Sequence, residues 1–195
     1  MRSPGHHRYA FDLAAVTDPA GGYFTKSRLK LLLSGASVED SHSWAQTVHA
    51  PADATVVDLY NDAADCLSVR VLNGVRLVRS RQRHSELRQL AGNFLLLKCR
   101  TVFVLLAHLR QGSIRVAKGD TIARGDAVAE VGNSGSSLAP HLHLQVVDRP
   151  DPLRAATLGF LVNDYERWNG RQWQPVRYRE LVKGERVRYA ANDLL

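Results

Sequence analysis

The sequence from residue 130 to residue 147, EVGNSGSSLAPHLHLQVV, joins a glycine-rich turn and a polar loop to a run in which apolar and polar residues alternate. Alternation with a period of two predicts a β-strand, on which residues i and i+2 point to the same side. His141, His143 and Gln145 would then share one face, and the apolar residues that alternate with them would enter the core. The pattern therefore predicts a strand that presents two imidazoles to one site.

The two histidines on one face of this strand are candidates for a metal-binding or catalytic site. Neutral imidazole is the commonest metal ligand in proteins and a good general base. A single histidine on a strand is usually a half-buried residue with a hydrogen-bond partner. Two histidines at i and i+2, directly after a loop of glycine and serine, favour a metal or catalytic site, although the HxH spacing by itself also arises by chance.

Most of the remaining chain also has the pattern of strands. Residues 93–99 (NFLLLKC) and 102–109 (VFVLLAHL) are nearly continuous in apolar residues, which predicts central strands covered on both faces. Residues 47–59 predict two short strands around a turn at 51–54. Glycines 119 and 125 divide residues 112–131 into short strands with sharp turns.

Other segments predict hairpins, and for one run the secondary structure is undecided. Asn73-Gly74 and the tail sequence WNGRQW at 168–173 are typical of type I′ hairpin turns. The run KSRLKLLL at 26–33 is compatible with a strand or with a helical turn. We find no internal repeat and no long amphipathic helix. The predicted fold is mainly β, an antiparallel sheet or sandwich with few short helices.

Composition narrows the class of protein. The chain has 195 residues, 45% of them hydrophobic and 23% charged, which is typical of a globular domain. No stretch approaches the roughly 18 apolar residues of a membrane span, and the start of the chain shows no signal-peptide core. We therefore expect no membrane span, and nothing in the chain as written exports it.

The net charge of +7, from 26 basic and 19 acidic residues, is compatible with a polyanionic partner. The dense basic cluster at 76–88 lacks interleaved aromatic residues, so we expect no nucleic-acid partner. Cys66 and Cys99 are too far apart in sequence for a CxxC site, which excludes a zinc ribbon. They could be free and buried, or form a single disulfide.

Several blocks, in order, resemble a known family. AHL at 107–109, VxxGDxxxxGxxxxxVGNSG at 116–135 and PHLH at 140–143 resemble the LytM-type zinc metallopeptidases of family M23, the lysostaphin-like endopeptidases. YAFD at 9–12 and APADATVV at 50–57 are similar to earlier blocks of that family. The resemblance spans residues 5–147 and is more specific than any one motif.

The resemblance implies a site with one Zn²⁺ ion. Carried over residue by residue, it gives His7, Asp12 and His143 as zinc ligands and His108 and His141 as the catalytic pair. Two imidazoles and one carboxylate leave the fourth tetrahedral position open for water or substrate. No HExxH sequence is present, so the general base cannot be the glutamate of the commoner zinc proteases.

The first ligand departs from the pattern of the family. The family usually spaces its first pair as HxxxD, but the residue four positions before Asp12 is Arg8. Strict alternation would turn His7 away from Asp12, so a bulge or bend is needed to re-aim it. His6 has the right parity but lies farther away. We favour His7 because of its reach and keep His6 as the alternative.

The resemblance implies the following function and organisation. Residues 1–150 would form an M23-like metallopeptidase domain, and residues 151–195 a C-terminal extension with a hairpin packed on the same domain. The activity would be a zinc-dependent endopeptidase acting on peptidoglycan cross-bridges or stem peptides, as a monomer and outside the cytoplasm. The alternative is a catalytically inactive M23-like domain that serves as a binding or regulatory module.

A second alternative belongs to another class of protein. The segment VAKGDTIARGDAVAEVG resembles the glycine-turn hairpins of lipoyl and biotinyl carrier domains. No lysine occupies a hairpin tip in the expected setting, so this alternative is weak.

Overall fold

The computed structural model of the protein describes residues 9–18, 21–69 and 86–188. Its described residues are organised around one six-stranded antiparallel sheet with short additional sheets. The strands are β1 Ala10–Leu13, β2 Ala36–Ser37, β3 Thr47–His49, β4 Ala54–Tyr60, β5 Ser68–Val69, β6 Asn93–Cys99, β7 Val102–Leu109, β8 Thr121–Ile122, β9 Ala127–Glu130, β10 Leu142–Val147, β11 Tyr165–Trp168, β12 Trp173–Val176 and β13 Val187–Arg188. The helices are α1 Arg28–Ser34 and α2 Leu87–Ala91, with a 3-10 turn at Val38–Asp40.

The large sheet has the strand order β1-β10-β7-β6-β4-β8. The two strands predicted to be central, β6 and β7, lie in its middle and are buried along most of their length. Their apolar residues face both sides of the sheet, as continuous hydrophobic strands require. The predicted mainly β, antiparallel fold is confirmed.

The two faces of the sheet are covered differently. On one face, the pair β3 and β9 closes a sandwich over the larger core, which includes Leu95, Leu106, Val128 and Val146. On the other face, a smaller cluster of Phe94, Leu96, Leu105 and Ala107 packs with Ala91 of α2. The smaller cluster leaves part of its face for polar side chains from β1 and β10.

The run at 26–33 forms a helix rather than a strand. Ser27 caps α1 with its hydroxyl, which accepts a hydrogen bond from the backbone nitrogen of Lys30 at 3.5 Å. Gly35 follows the helix with a φ of +70°, which suits glycine and ends the element.

The C-terminal extension packs on the large sheet before forming its own small one. Leu158 and Phe160 pack against the larger core, and the rings of Phe11 and Phe160 meet edge to face at 5.3 Å. Beyond them, β11 pairs with β12 and with β13. The β11–β12 loop has four residues, 169–172, so the turn is wider than the two-residue type I′ turn expected there. Gly170 adopts a φ of +96° within it.

The cysteine alternatives are resolved in favour of free thiols. Cys66 is exposed and Cys99 is partly buried, and they form no disulfide. The expected Asn73-Gly74 hairpin and His6 and His7 lie outside the described residues. In the part of the chain that the structure describes, no helix has the length and apolar character needed to cross a membrane.

Candidate active site

The pairing of β1 with β10 creates the centre of the site. Asp12 lies directly opposite His143 in the antiparallel register, and directly opposed residues project their side chains from the same face. The Oδ1 atom of Asp12 is 2.8 Å from Nδ1 of His143. Residues 131 positions apart in sequence therefore meet through strand pairing.

His141 joins the same carboxylate from the loop just before β10. Its Nε2 atom lies 3.4 Å from Oδ1 of Asp12. Its Nδ1 atom is 2.8 Å from the backbone oxygen of Ala139 and 3.2 Å from the Ser137 hydroxyl. Because a carbonyl oxygen only accepts hydrogen bonds, Nδ1 carries a proton, and Nε2 faces the Asp12 carboxylate.

His108 enters the site because β7 contains a bulge. Asn93 pairs with Leu109 and Phe94 pairs with Ala107, so His108 is the extra residue between them. Its φ of +61° is unusual for a residue with a side chain. A regular strand would place His108 on the face opposite to Ala107, whereas the bulge brings its ring to 4.8 Å from that of His141 and 5.8 Å from that of His143.

His108 is buried and held in one tautomer. Its Nδ1 atom donates to the backbone oxygen of Ser134 at 2.9 Å, which leaves a lone pair on Nε2. Burial, together with the neighbouring charges of His141 and His143, lowers the pKa of His108 to about 3. At neutral pH, His108 is therefore a neutral base in a water-poor position.

Asp12 has the opposite electrostatic character. The hydrogen bonds from His141 and His143 hold the pKa of the Asp12 carboxyl far below its usual range. Its side chain is 66% exposed, against 17% for His141 and 22% for His143. The site therefore has a buried, neutral imidazole on one side, that of His108, and an ionised, solvent-exposed carboxylate on the other, that of Asp12.

The loop before β10 supplies the backbone that fixes His108. Ser134 is fully buried, and its hydroxyl donates to the carbonyl of Leu109 at 2.8 Å and accepts from the backbone nitrogen of Asn93 at 2.9 Å. Asn93 also donates to the carbonyls of Leu109 at 3.0 Å and Ala63 at 2.8 Å. These bonds tie the glycine-rich loop to both strands of the bulge.

The structure brings together Asp12, His108, His141 and His143 and does not describe His7. Within residues 9–18, 21–69 and 86–188, no set of three or more His, Cys, Asp or Glu side chains forms a complete metal-binding group. His7, the expected third protein ligand, lies outside these described residues.

The described donors nevertheless suit a zinc ion. Nε2 of His141 and Nδ1 of His143 both face the Asp12 carboxylate. Because a carboxylate only accepts hydrogen bonds, a proton or a cation must lie between its oxygen and each nitrogen. Ligand atoms that share a tetrahedral zinc ion lie about 3.3 Å apart, given bond lengths of about 2.0–2.1 Å. The separation of 2.8 Å between Asp12 and His143 would have to open by only about half an ångström to reach that value.

Sequence patterns missed the residues that support the site. Asn93 looks like an ordinary polar start of a strand, and Ser137 and Thr157 lie in segments without a recognisable motif. Their contacts come from tertiary structure. Period-two alternation does place Gln145 on the face of the histidines, and its side chain is 3.3 Å from Nε2 of His143.

Comparison with known proteins identifies the family of this chain. The model of peptidase family M23 matches residues 38–155, more than half of the chain. Comparison with curated proteins finds no match.

Solved structures add distant likenesses. A mutant catalytic domain of the prophage-encoded M23 protein EnpA from Enterococcus faecalis is 15% identical, over 81% of this chain and 90% of that one, with a TM-score of 0.41. The catalytic domain of the antimicrobial peptidase lysostaphin from Staphylococcus simulans is 15% identical, over 78% and 90%, with a TM-score of 0.40. A zinc-containing peptidase from Vibrio cholerae is 19% identical, over 77% and 38%, with a TM-score of 0.39.

The assignment rests on the family model, because structural likenesses this distant carry no further weight. The matched residues include the bulge with His108, the glycine-rich loop that ends at His141 and the strand β10 with His143. The chain belongs to peptidase family M23.

Proposed function

We propose that this protein is a zinc-dependent metalloendopeptidase that cleaves peptide bonds in peptidoglycan cross-bridges or stem peptides. The observation that supports the proposal best is the meeting of two histidines from one strand region with the carboxylate of Asp12, at 2.8 and 3.4 Å. Asp12, His143 and His7 would hold the ion. When bound, zinc supplies Lewis-acid polarisation of the scissile carbonyl.

The other two histidines have properties suited to acid-base work. His108 is buried and presents the lone pair of Nε2, so it can accept a hydrogen bond and then a proton from an attacking water molecule. His141 is held through Nδ1 by the carbonyl of Ala139, so its ring keeps a fixed orientation. After gaining a proton, either imidazole can donate a hydrogen bond to the oxyanion that develops on the carbonyl.

The wall polymer as substrate and an extracytoplasmic location follow from the resemblance to lysostaphin-like enzymes. The net charge of +7 is compatible with an anionic wall polymer, since it favours encounter with polyanions. We keep the monomeric state and the division at residue 150 as predictions.

The first test measures zinc. Purified protein should contain close to one zinc ion per chain, and Asp12→Ala and His143→Ala should each lose most of it, because each removes a ligand. His49→Ala is the matched control: His49 lies on β3 in the other sheet and contacts the carbonyl of Gly125. A parent protein that holds no zinc after zinc is supplied would rule out the proposal.

The second test measures cleavage of peptidoglycan by the zinc-loaded protein. New amino groups should appear without new reducing sugar ends, since peptide and not glycosidic bonds are cut. His108→Ala and His141→Ala should keep the zinc and lower the rate by about 10²–10⁴-fold, as expected for loss of a general base. Stoichiometric zinc without any cleavage of peptidoglycan would instead favour the inactive binding module.

A further inference from the structure

Asn93, the first residue of β6, is fully buried and pairs with Leu109 beside the bulge. Its side-chain oxygen accepts from the backbone nitrogen of Ala63 at 2.7 Å, and its side-chain nitrogen donates to the carbonyls of Ala63 at 2.8 Å and Leu109 at 3.0 Å. Because each partner is a main-chain group that either donates or accepts, the orientation of the amide is fixed. Asn93 therefore joins β6, the end of β7 and the segment that follows β4.

The carbonyl of Leu109, directly after His108, receives two hydrogen bonds. Asn93 donates to it from its side chain, and the Ser134 hydroxyl donates to it at 2.8 Å. The backbone nitrogen of Asn93 in turn donates to that hydroxyl at 2.9 Å. A carbonyl oxygen has two lone pairs, so both are used here. Asn93, Ser134 and Leu109 are thus connected in a closed set of hydrogen bonds in which every direction is determined.

The backbone of His108 depends on such support because it adopts a disfavoured conformation. Its φ of +61° lies in the left-handed region, where a Cβ atom is crowded. A residue keeps such a conformation only when the surrounding contacts over-determine it. The carbonyl of His108 accepts from the backbone nitrogen of Gly132 at 3.0 Å, and the next carbonyl accepts from Asn93 and Ser134. Two successive carbonyls at the strained position are therefore held in place.

We infer that Asn93 is a positioning residue for His108: with the Ser134 hydroxyl, it holds the bulge that places the His108 imidazole in the site. It acts through Leu109 and through Ser134, whose carbonyl accepts from the His108 ring. A displacement of about 1 Å can cost about 100-fold in rate. The inference rests on the proposed function for this catalytic consequence, whereas the hydrogen bonds are present without zinc or substrate.

The first experiment measures hydrolysis of soluble peptidoglycan fragments by zinc-loaded Asn93→Ala. For the folded protein, kcat should fall by about 10- to 100-fold while KM stays nearly unchanged, because the base is displaced and the substrate-binding surface is not. The zinc content should match that of the parent, since Asp12 and His143 are untouched. An unchanged kcat would overturn the inference.

A double-mutant cycle with His108→Ala distinguishes positioning from a general loss of structure. If Asn93 acts through the His108 imidazole, Asn93→Ala should lower the rate by less than about twofold in the His108→Ala background, because residues that act as a unit are not additive. The same fold-loss in both backgrounds would show that Asn93 acts on another part of the protein, and the inference would be wrong.

Ser134→Ala is the milder variant, and it decides the question if Asn93→Ala fails to fold. It removes only the hydroxyl, and Leu109 keeps its hydrogen bond from Asn93, so kcat should fall several-fold. Ser113→Ala is the matched control: the Ser113 hydroxyl also donates to a carbonyl, that of Arg110 at 2.8 Å, and accepts from a backbone nitrogen, that of Glu130 at 3.1 Å. This control should keep the kcat of the parent. A parental kcat in Ser134→Ala as well would contradict the inference.

The proton on Nδ1 of His108 separates this inference from the proposed function. Because it is buried and bonded to the Ser134 carbonyl, it should exchange slowly with water in ¹H–¹⁵N spectra of the zinc-free parent. Exchange should be faster in Asn93→Ala and Ser134→Ala and unchanged in Ser113→Ala. Parental exchange in the first two variants refutes the inference. If their exchange is faster but the parent cleaves no peptidoglycan, the proposed function fails and the positioning of His108 stands.

Discussion

At the scale of single residues, the site depends on which nitrogen of each histidine carries a proton. The carbonyls of Ser134 and Ala139 accept from His108 and His141, so both rings present Nε2 to the centre of the site. Main-chain acceptors cannot be changed by a side-chain substitution. The orientation of these two bases is therefore built into the backbone of the loop before β10.

A residue-scale prediction concerns Cys99. Burial, with a smaller contribution from the charge of Asp53, raises the pKa of the Cys99 thiol. Because the thiolate is the reactive form, Cys99 should be alkylated more slowly than the exposed Cys66 at pH 8. Its rate should still be rising with pH where an ordinary thiol, with a pKa of about 8.5, has levelled off.

Mass spectrometry of Cys66→Ser and Cys99→Ser, each with one thiol, measures the two rates separately. Iodoacetamide is small enough to reach a partly buried sulfur. Equal rates and equal pH profiles for the two thiols would contradict the prediction.

Sequence reasoning reached part of the site at this scale. The HLH spacing predicted that His141 and His143 share a face, because alternation in a strand is a local property. Resemblance to the family, and not spacing, supplied Asp12 and His108. Gln145 was placed on the correct face, but its hydrogen bond to Thr157 was not foreseen, since that contact requires the chain to turn back along β10.

At the scale of elements, the bulge in β7 and the glycine-rich loop form one unit. The bulge places His108 in the site, and the loop supplies the carbonyl that orients it. The sequence predicted β7 with its observed bounds, Val102–Leu109. It did not predict the bulge, because one extra residue in a continuous apolar strand leaves no periodic signal that reveals it.

An element-scale prediction compares Gly135 with Gly125. Both have positive φ, +66° and +93°, so alanine at either site costs about 1–2 kcal/mol through the backbone alone. A Cβ atom on Gly125 meets nothing within 4 Å, whereas one on Gly135 would overlap the backbone of Gly92. Gly135→Ala should therefore destabilise the fold clearly more than Gly125→Ala, as measured by urea unfolding.

Gly135→Ala and Gly125→Ala should also differ in hydrolytic activity. Displacing the loop at Gly135 moves the Ser134 carbonyl away from His108, so hydrolysis by the folded fraction of Gly135→Ala should fall. Gly125→Ala lies on the far side of the core and should retain the activity of the parent. If the two variants have the same free energy of unfolding, Gly92 and Gly135 do not pack closely.

At the scale of the whole molecule, the first part of the C-terminal extension packs on the larger core, and β11, β12 and β13 form a separate small sheet. Phe160 packs on the larger core and against Phe11 of β1, the strand that carries Asp12. The family model begins at residue 38, so β1 lies outside the match and is secured partly by the extension. The sequence predicted a hairpin in the tail but offered no signal for this contact between the two ends of the chain.

A whole-molecule prediction follows from that contact. Phe160→Ala should lower the free energy of unfolding by about 1–3 kcal/mol, less than for a fully buried phenylalanine, because Phe160 is half-buried. It should also speed hydrogen exchange of the β1 amides, since Phe11 loses its partner. Leu161→Ala is the control: Leu161 is the next residue, is 58% exposed and should change the free energy of unfolding by less than about 0.5 kcal/mol. Unchanged exchange in β1 would show that Phe160 does not secure it.

The position of β1 at the edge of the large sheet has a consequence for solubility. While β1 is paired, it covers the backbone of β10, and the exposed edge is a strand of only four residues. If β1 detaches, the six-residue β10 becomes an open edge with apolar residues on one face, the kind of edge that recruits another chain. A metal ion held between Asp12 and His143 would bridge these two strands, so starving the protein of metal should favour self-association as well as loss of activity.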